Sequence, residues 1–106
     1  MATETLPSLP DTDKNPESSV KRDYLPLYKV IMWDDSVTTM EFVVRMLVNL
    51  FEKDYSAAEK LMYDIHYTGA AHVATLPLER AEFKVEQVYA AAAREGFPFK
   101  CTIEPL

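Results

Sequence analysis

The chain has 106 residues, 48% of them hydrophobic, with two glycines, one cysteine and a net charge of −6. That length holds one domain with one modest core. The acidic balance, present in both the first 26 residues and the rest, excludes a phosphate-backbone binder, which needs clustered Lys and Arg. No apolar run approaches the roughly 20 residues of a membrane span, and no apolar h-region follows the N-terminus. A lone cysteine, Cys101, precludes an internal disulfide and fits a reducing, cytosol-like compartment.

Residues 1–26 carry Pro7, Pro10, Pro16 and Pro26 among polar side chains, with no helical or strand period. They read as a solvated, extended arm ahead of a core domain at 27–106. Tyr28–Trp33 is β-branched and aromatic, and reads as a strand covered on most of both faces. It stops at Asp34-Asp35, and a short polar turn follows. Thr38-Thr39-Met40-Glu41 has the spacing of a capping box, with Thr38 as the cap. Val43, Met46, Leu47, Leu50 and Phe51 then mark one face of a helix to about residue 52. Ser56-Ala57-Ala58-Glu59 reads as a second capping box. Leu61, Met62, Ile65 and His66 share a stripe of that second helix, and Gly69 suits its left-handed stop.

Ala70–Leu76 reads as a weaker strand. Pro77 suits the first turn of a third helix, whose buried face is Ala81, Val85, Val88, Tyr89 and Ala92, ended by Gly96. Phe99, Cys101 and Ile103 alternate with polar residues in a half-buried edge strand. The order strand, helix, helix, strand, helix, strand predicts a two-layer α+β domain: three strands with helices on one face.

The centre of interest is Trp33–Val43, where two carboxylates stand beside the apolar start of a helix. Charge and apolar surface set so close suit a ligand with a cationic end and an apolar end. Plainer readings exist. Adjacent acids after a strand often form a solvated turn. His66 on an apolar stripe is also what a boundary histidine looks like, and Met40 and Met62 what core filler looks like. His72 and Cys101 read as structural.

Particular stretches carry a resemblance: Tyr28–Ile31, Asp35, Thr38, Met40–Val44, Ile65–Tyr67, Glu82, Lys84–Val88, Ala92–Arg94 and Cys101–Pro105. Spread in order over the whole core, they resemble the ClpS family, adaptors of the Clp ATP-dependent proteases. The resemblance implies a three-stranded antiparallel sheet packed on three helices, no catalysis and no cofactor. It implies binding of N-degrons, proteins whose first residue is Leu, Phe, Tyr or Trp, and delivery to the N-terminal domain of a ClpA-like or ClpC-like AAA+ unfoldase. It further implies a monomer working in bacterial cytoplasm or plastid stroma, with no nucleic-acid or membrane partner.

Carried onto this chain residue by residue, the resemblance assigns the substrate's amine to Asp34, Asp35 and His66. It assigns the first side chain to a pocket of Thr38, Met40, Val43, Met62, Ile65 and Phe99, and unfoldase docking to Glu79 and Lys84. The arm would engage the unfoldase. Where the family usually has Asn-Asp-Asp, an aromatic and Thr-Pro, this chain has Asp34 in place of the Asn and Thr39 in place of the Pro. Two adjacent carboxylates are expected to push one pKa up. Two other functions stay open on the residues alone. One is a Clp-docking modulator with altered cargo. The other is a small metal-dependent hydrolase using Asp34, Asp35 and His66 or His72.

Overall fold

The computed structural model describes residues 25–106. The expected arm, apart from Leu25 and Pro26, lies outside the described residues. The elements in order are β1 (Leu27–Trp33), α1 (Met40–Asn49), α2 (Tyr55–Thr68), β2 (Ala70–Pro77), α3 (Leu78–Glu95) and β3 (Lys100–Pro105). β1 is central, flanked on both sides by antiparallel partners in the order β2-β1-β3. This is the expected β-α-α-β-α-β domain.

Along β1 the side chains alternate. Val30 and Met32 are fully buried, whereas Lys29, Ile31 and Trp33 are half-buried. The strand is therefore covered on one face only, not on both. Its apolar run reflects a central position in the sheet and not a second helical layer. Trp33 belongs to the open face. Its indole N–H donates to the Thr102 hydroxyl at 2.8 Å, and the Lys100 ammonium lies 4.7 Å from its ring centre. It is neither core nor pocket rim.

Phe42, Leu47, Ile65, Val88 and Cys101 join Val30 and Met32 as fully buried side chains between sheet and helices. Each such burial is worth about 1.5–3 kcal/mol for the larger apolar groups. Phe42 also meets Phe97 and Phe99 edge-on, at 5.2 and 5.8 Å between ring centres, which fixes α1 against the segment entering β3.

Helix boundaries shift from the sequence reading because nearby side chains compete for the caps. Thr39, not Thr38, caps α1, its hydroxyl accepting the Phe42 N–H at 3.1 Å. Asp54, not Ser56, caps α2, accepting the Ala57 N–H at 2.8 Å. α1 ends at Asn49, and Glu52 takes φ 57° in the turn where the pattern had kept the helix going. Pro77 closes β2 and precedes α3 instead of opening it. In α3, Ala91 is buried and Tyr89 is exposed. The Tyr89 hydroxyl accepts the Cys101 N–H at 3.2 Å.

Candidate functional site

The loop between β1 and α1 is folded around one carboxylate. Asp35 Oδ1 accepts the backbone N–H groups of Val37 and Thr38 at 2.8 and 2.7 Å, and Oδ2 accepts the Thr38 hydroxyl at 2.8 Å. This is the Asx geometry that short acidic side chains favour in turns. It also explains the displaced cap, since the Thr38 hydroxyl is already spent on Asp35. Partial burial pushes the Asp35 carboxyl up, but the bonds from Thr38 and Val37 together outweigh it and hold the carboxyl below its ordinary range. No upward push by the adjacent acid is found at Asp35. The loop's own donors stabilise its charged form.

Asp34 is positioned through its backbone. Its N–H donates to the Gly69 carbonyl at 2.9 Å, and Gly69 in turn donates to the Ile65 carbonyl. Gly69 stands at φ 95°, the left-handed conformation that ends α2. The end of β1 is thereby fastened to the end of α2, one turn from His66. Asp34 Oδ1 and His66 Nδ1 face each other across 3.6 Å, outside hydrogen-bond range. Both side chains reach solvent, and the imidazole meets the Tyr67 ring edge-on at 5.0 Å.

These groups form one wall of a cavity of about 150 Å³. Around it stand Asp34, Asp35, Thr38, Met40, Val43, Met62, Ile65, His66 and Phe99, the whole set assigned from sequence to amine and side chain, together with Ser36. Val43, Met62, Ile65 and Phe99 are buried and make an apolar lining. Met40 is 40% exposed and forms the rim. Carboxylates and imidazole, with the hydroxyl-bearing Ser36 and Thr38, thus share the cavity with the apolar Met40, Val43, Met62, Ile65 and Phe99. A volume near 150 Å³ matches what an isolated benzene ring needs.

Two contributors escaped the sequence reading. Ser36 sits inside the loop with no distinctive pattern around it. Gly69 was legible as a helix stop, but not as the group whose carbonyl fixes Asp34. Glu79 and Lys84 lie elsewhere, on α3. Glu79 is exposed, and Lys84 edges a shallow hollow with Leu76, Arg80 and Phe51. His72 is not among the residues around the cavity. Its register partner is Ile31 on the open sheet face, and its Nε2 lies 2.7 Å from the Thr75 hydroxyl. Among the described residues no group of three or more His, Cys, Asp or Glu is placed to hold a metal ion. No helix among the described residues is long and apolar enough to cross a membrane.

Known proteins of the same kind are plentiful. The family model described as "ATP-dependent Clp protease adaptor protein ClpS" matches residues 23–102. The ATP-dependent Clp protease adapter protein ClpS of Leptothrix cholodnii is 39% identical over 96% of this chain and 92% of its own length. That of Desulforapulum autotrophicum is 40% identical over 79% of this chain and 81% of its own. Among solved structures, Agrobacterium tumefaciens ClpS2 bound to L-phenylalaninamide superposes with a TM-score of 0.74 at 31% identity, covering 76% of this chain and 98% of that one. The family model's match takes in β1, the loop at Asp34–Thr39, the three helices, β2 and the first half of β3, and on that basis the chain belongs to the ClpS family, a family of protease adaptors and not of enzymes.

Proposed function

We propose that this adaptor binds proteins by their first residue, reading a free α-amino group together with a large apolar side chain, and hands them to a Clp AAA+ unfoldase. The observation that carries the reading is the two-sided cavity. Asp34, Asp35 and His66 stand at its polar side, and Val43, Met62, Ile65 and Phe99 line the rest. A free α-amine has a pKa of roughly 7.7–8.0, so it is mostly cationic at neutral pH. Taking it from water is costly unless acceptors replace the lost hydration. Asp35 contributes a fixed negative charge. An ammonium set between Asp34 Oδ1 and a neutral His66 nitrogen gives each of them a donor, and the 3.6 Å separation leaves them unbonded to each other.

A Leu or Phe side chain in the cavity gains about 1.5–3 kcal/mol. A micromolar complex needs about 8 kcal/mol. Neither half of the site suffices alone, so amine and side chain are required together. Met40 at the rim crowds a branched Cβ, which disfavours Ile and Val. L-phenylalaninamide, bound by Agrobacterium ClpS2, presents the same two groups, an amine and a benzyl side chain.

The test is a pair of peptides differing only at the amine. A free Leu-initial peptide binds, and its acetylated twin does not. Equal affinities would refute the reading. A panel starting with Leu, Phe, Trp and Arg separates it from a docking modulator with altered cargo, which would bind none of the first three selectively. Delivery rests on different residues. Glu79 and Lys84 dock a ClpA-like or ClpC-like N-terminal domain, the adaptor acts as a monomer, and deletion of residues 1–22 spares peptide affinity while stopping degradation.

A further inference from the structure

A second concavity adjoins the first. It is a groove of about 440 Å³ between α1 and α2, and it shares Met40 and Met62 with the cavity described above. Its apolar surface comes from Met40, Val44 and Val48, one turn apart along α1, and from Tyr55, Met62 and Tyr63 on α2. Buried helix faces do not look like this. Tyr55 is 65% exposed and Tyr63 42% exposed, so large side chains stand in solvent beside half-buried valines. From Met40 to Val48 the groove runs about 12 Å at 1.5 Å per residue. An extended polypeptide rises about 3.3 Å per residue, so that length holds three to four residues. The charges are one-sided. Glu41 and Glu59 line the groove, whereas Arg45, the cation on its edge, is paired with Glu95 on α3.

We propose that this groove is the second half of the peptide site: it holds the residues that follow the N-terminal one, takes an apolar or aromatic side chain at position three or four against Val48, Tyr55 and Tyr63, and rejects acidic residues there. The inference rests on the first-residue reading above and extends it. Continuity over the shared Met40–Met62 wall identifies the occupant. A chain whose first side chain fills the cavity leaves it across that wall, and the groove begins on the other side. The adaptor then selects among substrates with the same first residue by what lies two or three residues further on.

The experiment uses the full chain and peptides with a free N-terminal Leu, labelled at the C-terminus, carrying Ala, Phe or Asp at positions three and four. Phe tightens binding roughly tenfold over Ala, the effect of burying part of one large side chain, and Asp weakens it. In Val48→Asn and Tyr55→Ala the gain from Phe disappears, while the Ala peptide binds as it does to the unchanged protein. The Ala peptide thus reports whether each variant is still folded. A benzoylphenylalanine at position four, photolysed on the unchanged protein, crosslinks to α1 or α2 residues of the groove. No gain from Phe, a gain that survives both variants, or a crosslink elsewhere would overturn the proposal. If the acetylated Ala peptide binds as well as the free one, it is the first-residue reading that fails. If the amine is required and the downstream residues make no difference, only the groove fails.

Discussion

The two ends of the central strand β1 carry different surfaces. At its C-terminal end the chain turns through Asp34–Thr39 and closes a small cavity, with Asp35 bonded inside the loop and Asp34 facing His66. At its N-terminal end Leu27 pairs with Pro77, next to the start of α3, where Glu79, Arg80 and Lys84 stand on an open surface of mixed charge. Six residue steps of strand, about 20 Å, separate the two. Groups that far apart with no shared partner act additively. Holding a small cationic ligand needs enclosure and acceptors fixed in advance. Gripping a protein domain needs breadth. In the proposed function the first task falls to one end of β1 and the second to the other.

The hardest way to break the comparison is through Asp35. Asp35→Ala removes the charge beside the amine and leaves the Val37 and Thr38 amides and the Thr38 hydroxyl without their acceptor. Two losses in one site predict a fall in peptide affinity of roughly a hundredfold, about 2.7 kcal/mol. Binding to the unfoldase's N-terminal domain stays as it was. Fluorescence anisotropy with a Leu-initial peptide and with the isolated domain reads both. Lys84→Glu is the converse, with roughly a tenfold loss of docking and unchanged peptide affinity. Loss of both functions in either variant would mean that the two ends are coupled through the fold.

The architecture was legible because the apolar periods along the chain are strong and the two glycines fall where helices end. The cavity lining came from the resemblance, carried onto Met40, Val43, Met62 and Ile65, and the helical spacing of those residues agreed with it. What stayed hidden was local competition for hydrogen bonds. From spacing alone, Thr38 and Thr39 are equivalent caps. The choice is made by Asp35, which takes the Thr38 hydroxyl. The same hydrogen bonds hold the Asp35 carboxyl below its ordinary range, which counting neighbouring charges alone does not predict. The side of the sheet that Trp33 takes was hidden for another reason, because it depends on register with Lys100 and Ala70, and pairing over such distances has no local signal.

The two glycines sharpen the comparison at smaller scale. Gly69 and Gly96 both hold left-handed φ, 95° and 74°, and a Cβ at either meets open space. Alanine at either position therefore costs backbone strain alone, about 1 kcal/mol. The unfolding penalties should match in chemical denaturation. Only Gly69 fixes the loop through Asp34, so only Gly69→Ala should also lower peptide affinity, by a few-fold. Equal affinities would show that the link from α2 to the loop does not position the amine site.

The smallest expected effect is the pH dependence of binding, and its sign follows from Asp35 and the substrate amine. Asp35, with its pKa held low, contributes stability that is fully present above the ordinary carboxylate value of about 3.9 and is lost only as pH falls through its depressed value. Between pH 7.5 and 5.5 it changes nothing. Over the same interval the substrate amine becomes more fully protonated, which favours binding slightly. Affinity for a Leu-initial peptide should therefore hold level or rise slightly from pH 7.5 to 5.5, and fall only at pH values low enough to protonate Asp35. Fluorescence anisotropy against pH reads the profile, and a fall already complete by pH 5.5 would mean that Asp35 is not the charge the amine meets.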